Sequence, residues 1–358
     1  MLTPVLDEER HITRTVEAMR RQRGSGRLEF LLVDGGSSDG TRAILAELAS
    51  HDTRIRVLDN PRRTTPSGLN IALAHARGRW VARMDAHTEY PEDYLELGIR
   101  RLAGGDTRWV SGPPIARGRG PVSRAVALAL RTPLGRGGSR KWAAERSDTD
   151  GEYDLDSGVF GGVWERATLL EYGGWDERWW RNQDSEMAGR FLARGERLVC
   201  LPSMGAEYSA RDSLRSLWRQ YFQYGQFREL TAARHPHTMR RSHLLAPALT
   251  GDIAFSLAAP RPLRQLARRS LVIYAGVLAW AGIQAARDAQ QPRDAALVPL
   301  VLATMHVAHG SGSLCAAARH GAPLAALART LGFPTLATQL APPPQPVLAP
   351  SLLEIERR

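Results

Sequence analysis

Three short polar clusters have the residue types and spacing to do chemistry. The first is Asp85-Ala86-His87, which follows the mostly apolar run Trp80-Val81-Ala82-Arg83-Met84. In extended chain Asp85 and His87 point to the same side. A carboxylate oxygen and an imidazole nitrogen so placed can share one divalent cation with a diphosphate. The second cluster, Asp34-Gly35-Gly36-Ser37-Ser38-Asp39-Gly40-Thr41, closes the apolar run Leu28-Glu29-Phe30-Leu31-Leu32-Val33. The third, Asn182-Gln183-Asp184-Ser185-Glu186, opens a helix that runs through Leu192. A carboxylate there either takes a proton from a hydroxyl or caps the helix. Singly, each cluster also suits an ordinary turn or cap. Their order along an alternating chain makes them a set.

The elements that must position them follow from periodicity. Leu2 to Leu6 looks like the end of a strand and its exit loop. Ile12, Val16 and Met19 share one helical face, and Ile44, Leu45 and Leu48 another. Leu28–Val33 and Ile55–Leu58 are strands, and Ser67-Gly68-Leu69-Asn70 opens a helix through Ala76. The first of these strands is apolar almost throughout, as a strand buried on both faces should be. Strand and helix alternating in this way predict an α/β fold with a doubly wound, mostly parallel sheet. Ligands in such sheets bind at the carboxyl ends of the strands, where Asp34 and Asp85 lie.

From Gly104 to Asp154 the signals blur, and Gly135 to Arg146 is expected to be mobile. Arg197–Leu201 is a further strand, and Ser213–Leu230 an aromatic, basic, amphipathic helix. Beyond residue 240 the chain turns hydrophobic. Ser270–Ala286 is close to one bilayer span, and Ala295–Ala318 is longer. Arg261, Arg264, Arg268 and Arg269 precede the first of these, a pattern suited to an anionic leaflet. The sequence thus divides into residues 1–235, a hydrophobic helical region 240–320 expected to associate with a membrane, and a Pro-rich tail 342–358 expected to be disordered.

The formal charge of +11 suits anionic partners such as phosphates, nucleic acid or an acidic membrane surface. No basic-aromatic motif supports nucleic acid. Cys200 and Cys315 match no metal spacing and give no disulfide framework, which fits a reducing compartment. Acidic residues within ten positions of Met1 leave no visible signal peptide.

Together the three clusters resemble those of the family 2 glycosyltransferases, inverting enzymes of the GT-A fold, over residues 2 to 230. Within that family the chain looks most like the bacterial succinoglycan and exopolysaccharide glucosyltransferases. The resemblance implies a nucleotide loop at Pro4-Val5-Leu6-Asp7-Glu8-Glu9, with Pro4 and Glu8 near the nucleoside and Asp7 in place of the usual Asn. It assigns Asp34 to the base or ribose, and Gly68 and Asn70 to a loop passing the diphosphate. Asp85 would bind the donor and, with His87 standing where a second Asp is usual, a divalent cation, Mn2+ or Mg2+. Asp184 would be the catalytic base. Gly161, Gly162 and Trp164 resemble an acceptor-side turn, and Glu186 is a weaker acidic candidate there. Trp175, Trp179 and Trp180 are candidates for stacking on sugar rings, and Gln220, Gln223 and Arg228 loosely match a helix under the diphosphate.

The implied reaction moves a sugar from a nucleotide-diphospho-sugar, a UDP-sugar in the first instance, to a lipid-linked or polysaccharide acceptor at the cytoplasmic face of the membrane. Transfer to a polyprenyl phosphate, or non-catalytic binding of sugar nucleotides, are the alternatives. Relatives carry a hydrophobic strand before the Pro4 loop, and only Met1-Leu2-Thr3 stand there here. The natural product is therefore expected to begin upstream, or this chain to fold poorly.

Overall fold

A computed structural model describes residues 1–24, 26–142 and 145–356. The strands are β1 (Leu2–Val5), β2 (Phe30–Asp34), β3 (Ile55–Asp59), β4 (Trp80–Arg83), β5 (Thr88–Glu89), β6 (Trp109–Ser111), β7 (Pro114–Arg117), β8 (Tyr153–Asp154), β9 (Gly162–Glu165), β10 (Leu198–Cys200) and β11 (Ala206–Ser209). Eight of them form one sheet in the order β3-β2-β1-β4-β9-β6-β10-β8, and β5-β11-β7 form a small second one. The pairs β3/β2, β2/β1, β1/β4 and β6/β10 are parallel. β9 lies antiparallel to both β4 and β6, and β8 antiparallel to β10. The sheet is therefore mixed and mostly parallel, as a GT-A-like sheet is.

Two-sided burial explains the apolar strands. Along β2, Leu31 and Val33 enter one core cluster, while Phe30 and Leu32 enter the other. The side-chain period of two sends neighbours to opposite faces. On β4, Val81 joins the first cluster and Ala82 the second. Leu2–Leu6, read from sequence as a strand end, holds a four-residue strand at mid-sheet, with Leu2 opposite Leu31 on one side and Arg83 on the other.

Two compact units emerge, and they are interleaved along the chain. The first comprises Met1–Ile115, Glu145–Tyr208 and Gln345–Arg358; the second comprises Ala116–Ala144 and Ser209–Pro344. This differs from the division read from sequence near residue 235. The helix Leu214–Arg234 belongs with the hydrophobic helices, because it packs against Pro292–His320. A Cβ on Gly225 would lie 2.0 Å from the His309 carbonyl, and one on Gly312 2.0 Å from that of Phe222. Only glycine permits so close an approach of two helix backbones.

The helix Pro121–Arg131 went unread within the blurred stretch, and the reason is physical. Gly and Pro around it and the short strands before it break the pattern, although Ala125 through Leu130 are buried. Of the stretch expected to be mobile, Pro133–Arg136 is a short helix, whereas residues 143–144 lie outside the described residues. In the second unit, Arg124 forms a bidentate pair with the buried Asp294 at 2.7 and 3.1 Å. Among the described residues, Arg261–Ala285 and Pro292–His320 are long and apolar enough to cross a membrane. They differ in burial. Val272, Ile273, Trp280 and Ile283 of the first are exposed, while Val298, Val301, Leu302 and Met305 of the second are buried.

The tail expected to be disordered is corrected in part. Pro350–Glu356 is a helix, and Ala349 and Leu352 are buried in the first core cluster beside Leu69 and Trp175. Its Pro-rich composition hid the apolar pair that docks it. Leu352→Ala should therefore lower stability by about 2–5 kcal/mol, as buried leucine truncations do. An unchanged urea midpoint would mean that this helix does not dock.

Candidate active site

All three polar clusters lie in the first compact unit. Parallel pairing brings the ends of β1 and β2 side by side, with Val5 opposite Asp34. The loops that leave them are sewn together. Ser38 donates its backbone N–H to Asp7 Oδ1 at 2.7 Å, Glu8 N–H donates to Thr41 Oγ1 at 2.7 Å, and Gly40 N–H donates to Glu9 Oε2 at 2.9 Å. Asp7 sits at φ +53°, in the left-handed region that Asp and Asn tolerate better than other side chains. An Asp can therefore stand here without losing the backbone geometry an Asn would allow.

Asp34 closes β2 and is only 1% exposed. Its carboxylate accepts the Ser37 N–H at 3.1 Å and the Ser37 hydroxyl at 2.6 Å. It holds the turn that carries Ser37 and Ser38 toward Asp7. Pro4 and Glu8 are partly exposed on the facing loop.

The end of β4 holds a buried ion pair. Arg83 and Asp85, two residues apart, form a two-point ion pair: Nε donates to Oδ1 at 2.7 Å and Nη2 to Oδ2 at 2.9 Å. The guanidinium is 4% exposed and the carboxylate 13%. The Asp85 N–H donates to the Tyr90 hydroxyl at 3.0 Å. Burial opposes the Arg83 charge, but the field of Asp85, with Asp184 and Tyr90 adding to it, outweighs burial and raises the guanidinium pKa. Burial and the neighbouring Asp85 charge likewise push the Tyr90 phenol far above its ordinary range. His87 is half exposed, and its Nδ1 lies 3.0 Å from Glu8 Oε1, which links the β1 loop to the β4 loop.

Asp184 lies in the first turn of the helix Gln183–Ala193. Asn182, at φ +52°, is the residue in the cap position, so Asp184 is inside the helix and is not its N-cap. Its carboxylate is partly exposed and accepts no hydrogen bond from the described residues. Its charge contributes to the field that raises the Arg83 guanidinium pKa.

Several expected site residues are structural instead. Asn70 is fully buried; its amide donates to the Trp175 carbonyl at 2.8 Å, and its Oδ1 accepts the Trp175 N–H at 2.9 Å. That pairing ties the helix Thr65–His75 to the turn before Trp175 and leaves no group for a diphosphate. Gly68 is buried against Pro4, where a Cβ would meet the proline at 3.2 Å. Gly162 and Trp164 are buried, and a Gly162 Cβ would lie 2.4 Å from Trp109 Nε1. Gly161 is buried beside the Tyr94 hydroxyl. These three are packed within β9 and its entry. Glu186 has no exposed side-chain area and is gripped by Arg190 at 2.9 and 3.1 Å, so it serves as the buried half of an ion pair. Trp175 and Trp179 are core residues, and Trp180 alone of the three presents a wide exposed face, at 42%. Gln220, Gln223 and Arg228 belong to the second unit.

Arg83, the ion-pair partner of Asp85, is a residue that motif reading passed over. Its signal was present: a charged residue inside a buried strand, on the same side as an acid two positions on.

Comparison with known proteins bears on the family and the fold. The family described as Glycosyl transferase family 2 matches residues 1–152. The succinoglycan biosynthesis protein ExoA of Rhizobium meliloti (strain 1021) is 30% identical over 259 residues, 71% of this chain and 76% of that protein. A putative glycosyltransferase of Bacillus subtilis (strain 168), EpsH, is 29% identical over 30% of each chain. Among solved structures, the mannosyltransferase PcManGT from Pyrobaculum calidifontis, in complex with GDP-Man and Mn2+, superposes with a TM-score of 0.53 at 19% identity, covering 86% of this chain and 85% of its own. That likeness speaks for the fold. From the matched residues and the extent of the first alignment, the chain belongs to glycosyltransferase family 2 and is a glycosyltransferase.

Proposed function

We propose that this glycosyltransferase transfers a sugar with inversion from a nucleotide-diphospho-sugar, with Asp184 as base and Asp85 in the donor site. The observation that carries the reading is the contrast between two carboxylates, one of them held by the buried Arg83 guanidinium. Asp85 is bound by it on both oxygens, and Asp184 is left without a hydrogen bond among the described residues. A carboxylate in that state, in the first turn of a helix, is available to take a proton.

In the proposed step the acceptor hydroxyl gives its proton to Asp184. The oxygen attacks the anomeric carbon from the face opposite the diphosphate. The bond from that carbon to the phosphate oxygen breaks, its electron pair leaves with the diphosphate, and the configuration inverts. The sewn loops at Asp7–Glu9 and Ser37–Thr41 give the nucleoside a fixed floor beside Pro4, Glu8 and Asp34.

The residues present fit a divalent cation. Each Asp85 oxygen receives one N–H from Arg83, which leaves each a further lone pair. His87 stands on the loop that follows. Among the described residues no group of three ligating side chains gathers. One or two protein ligands, completed by phosphate oxygens and water, is the arrangement Mg2+ adopts at phosphates. When bound, the cation neutralises the leaving diphosphate. The Mn2+ in the mannosyltransferase complex supports the same reading.

The acceptor we place in exopolysaccharide synthesis, a lipid-linked or polymeric glycan, on the strength of the relative named for succinoglycan biosynthesis. We place the protein at the cytoplasmic membrane face. The exposed apolar residues of Arg261–Ala285, with arginines in its first turns, support contact with an anionic leaflet.

Three measurements test these assignments. Asp184→Asn keeps the shape but not the basicity, so turnover should fall roughly a hundredfold or more while UDP affinity holds; near-normal turnover would end the base assignment. Asp85→Asn should abolish the tightening of UDP binding by Mn2+, read by calorimetry, and retention of that effect would remove Asp85 from the site. In flotation assays the full chain should rise with phosphatidylglycerol vesicles and much less with phosphatidylcholine vesicles. Trp280→Glu should weaken the association, and indifference to both changes would refute membrane contact through this helix.

A further inference from the structure

Arg83 is costly where it stands. It is 4% exposed on β4, and its Nη1 is buried without a hydrogen-bond partner among the described residues. A buried ion pair with an unsatisfied donor contributes little stability compared with an apolar residue of similar size. The neighbouring positions show what the fold itself asks for here, since Val81 and Ala82 are buried apolar residues. The guanidinium is therefore not explained as a stabilising contact. Its two remaining nitrogens meet both oxygens of Asp85 in the planar fork geometry that only arginine provides. That grip removes the carboxylate's freedom to rotate, and the Asp85 N–H bond to the Tyr90 hydroxyl fixes the backbone at the same residue.

We infer that Arg83 is a positioning residue of the donor site, whose guanidinium fork holds the Asp85 carboxylate in the one orientation that engages the cation-bound diphosphate. The inference rests on the assignment of Asp85 to that site. Partners behind a metal ligand commonly control affinity by ten- to a hundredfold when removed. The charge of Arg83 is not enough for this role: a lysine keeps the charge but has no fork, so it leaves the carboxylate free to turn.

The test is calorimetric binding of UDP with and without MnCl2 to the full-length wild type, Arg83→Lys, Asp85→Asn and the double variant, beside their melting temperatures. Arg83→Lys should lose about tenfold or more of the Mn2+-dependent gain in UDP affinity. In the Asp85→Asn background the lysine substitution should cost nothing further. A lowered melting temperature with an intact Mn2+ effect would make Arg83 merely structural and overturn the proposal. A full Mn2+ effect in Asp85→Asn would instead overturn the donor-site assignment beneath it. Should Arg83→Lys fail to fold, Arg83→Gly is assayed with added methylguanidinium or methylammonium. Recovery of the Mn2+ effect with the planar cation alone supports the fork; recovery with both cations, or with neither, overturns it.

Discussion

Parallel strands share a direction, so they deliver all their exit loops to one edge of a sheet. β1, β2 and β4 are adjacent and parallel, with Leu2 opposite both Leu31 and Arg83. This register makes the site possible. It puts the Pro4–Glu8 loop between the Asp34 turn and the Asp85 loop, although these stretches are far apart in the chain. Hydrogen bonds then lock the loops pairwise: Asp7 to Ser38 on one side, and Glu8 to His87 on the other. The four residues of β1 hold the register, because its neighbours on both sides depend on them for backbone pairing.

Charge at this edge is arranged by burial. A carboxylate withdrawn from water must be paired, and the pairing decides what it can do. Glu186 is gripped by Arg190 with no exposed area, and is thereby removed from chemistry. Asp34 is occupied by its own turn. Asp85 is gripped as firmly as Glu186, yet it keeps exposed surface at the strand end. Asp184, two positions before Glu186 on the same helix, keeps its carboxylate unbonded among the described residues. Four acids within reach of the same motifs thus have four different states, set by which arginine or turn lies beneath each.

The second unit follows another rule. Its helix Pro292–His320 is held by backbone approaches that glycine permits at Gly225 and Gly312, and by the buried Arg124–Asp294 pair. Its neighbour Arg261–Ala285 keeps large apolar side chains on the outside. Similar length and hydropathy therefore cover two different situations: one helix is the core of its unit, and the other lacks cover for its apolar face among the described residues.

The sequence by itself determined the alternating α/β plan, the strand ends carrying Asp34 and Asp85, and the helix start carrying Asp184. These are local matters: a run of apolar residues sets a strand, and the polar residues that end it mark the loop. It did not determine that β9 enters antiparallel between β4 and β6, since strand pairing is fixed by partners distant in the chain. The same limit hid the docking of Leu352 behind a Pro-rich stretch. In the site, residue type was legible and accessibility was not. Asn70, Trp164 and Glu186 have the right chemistry, but each is buried by elements far away in sequence. Arg83 was legible only as an oddity in a buried strand. That its fork closes on Asp85 is set by how the chain is held at the end of β4, which only the tertiary structure decides.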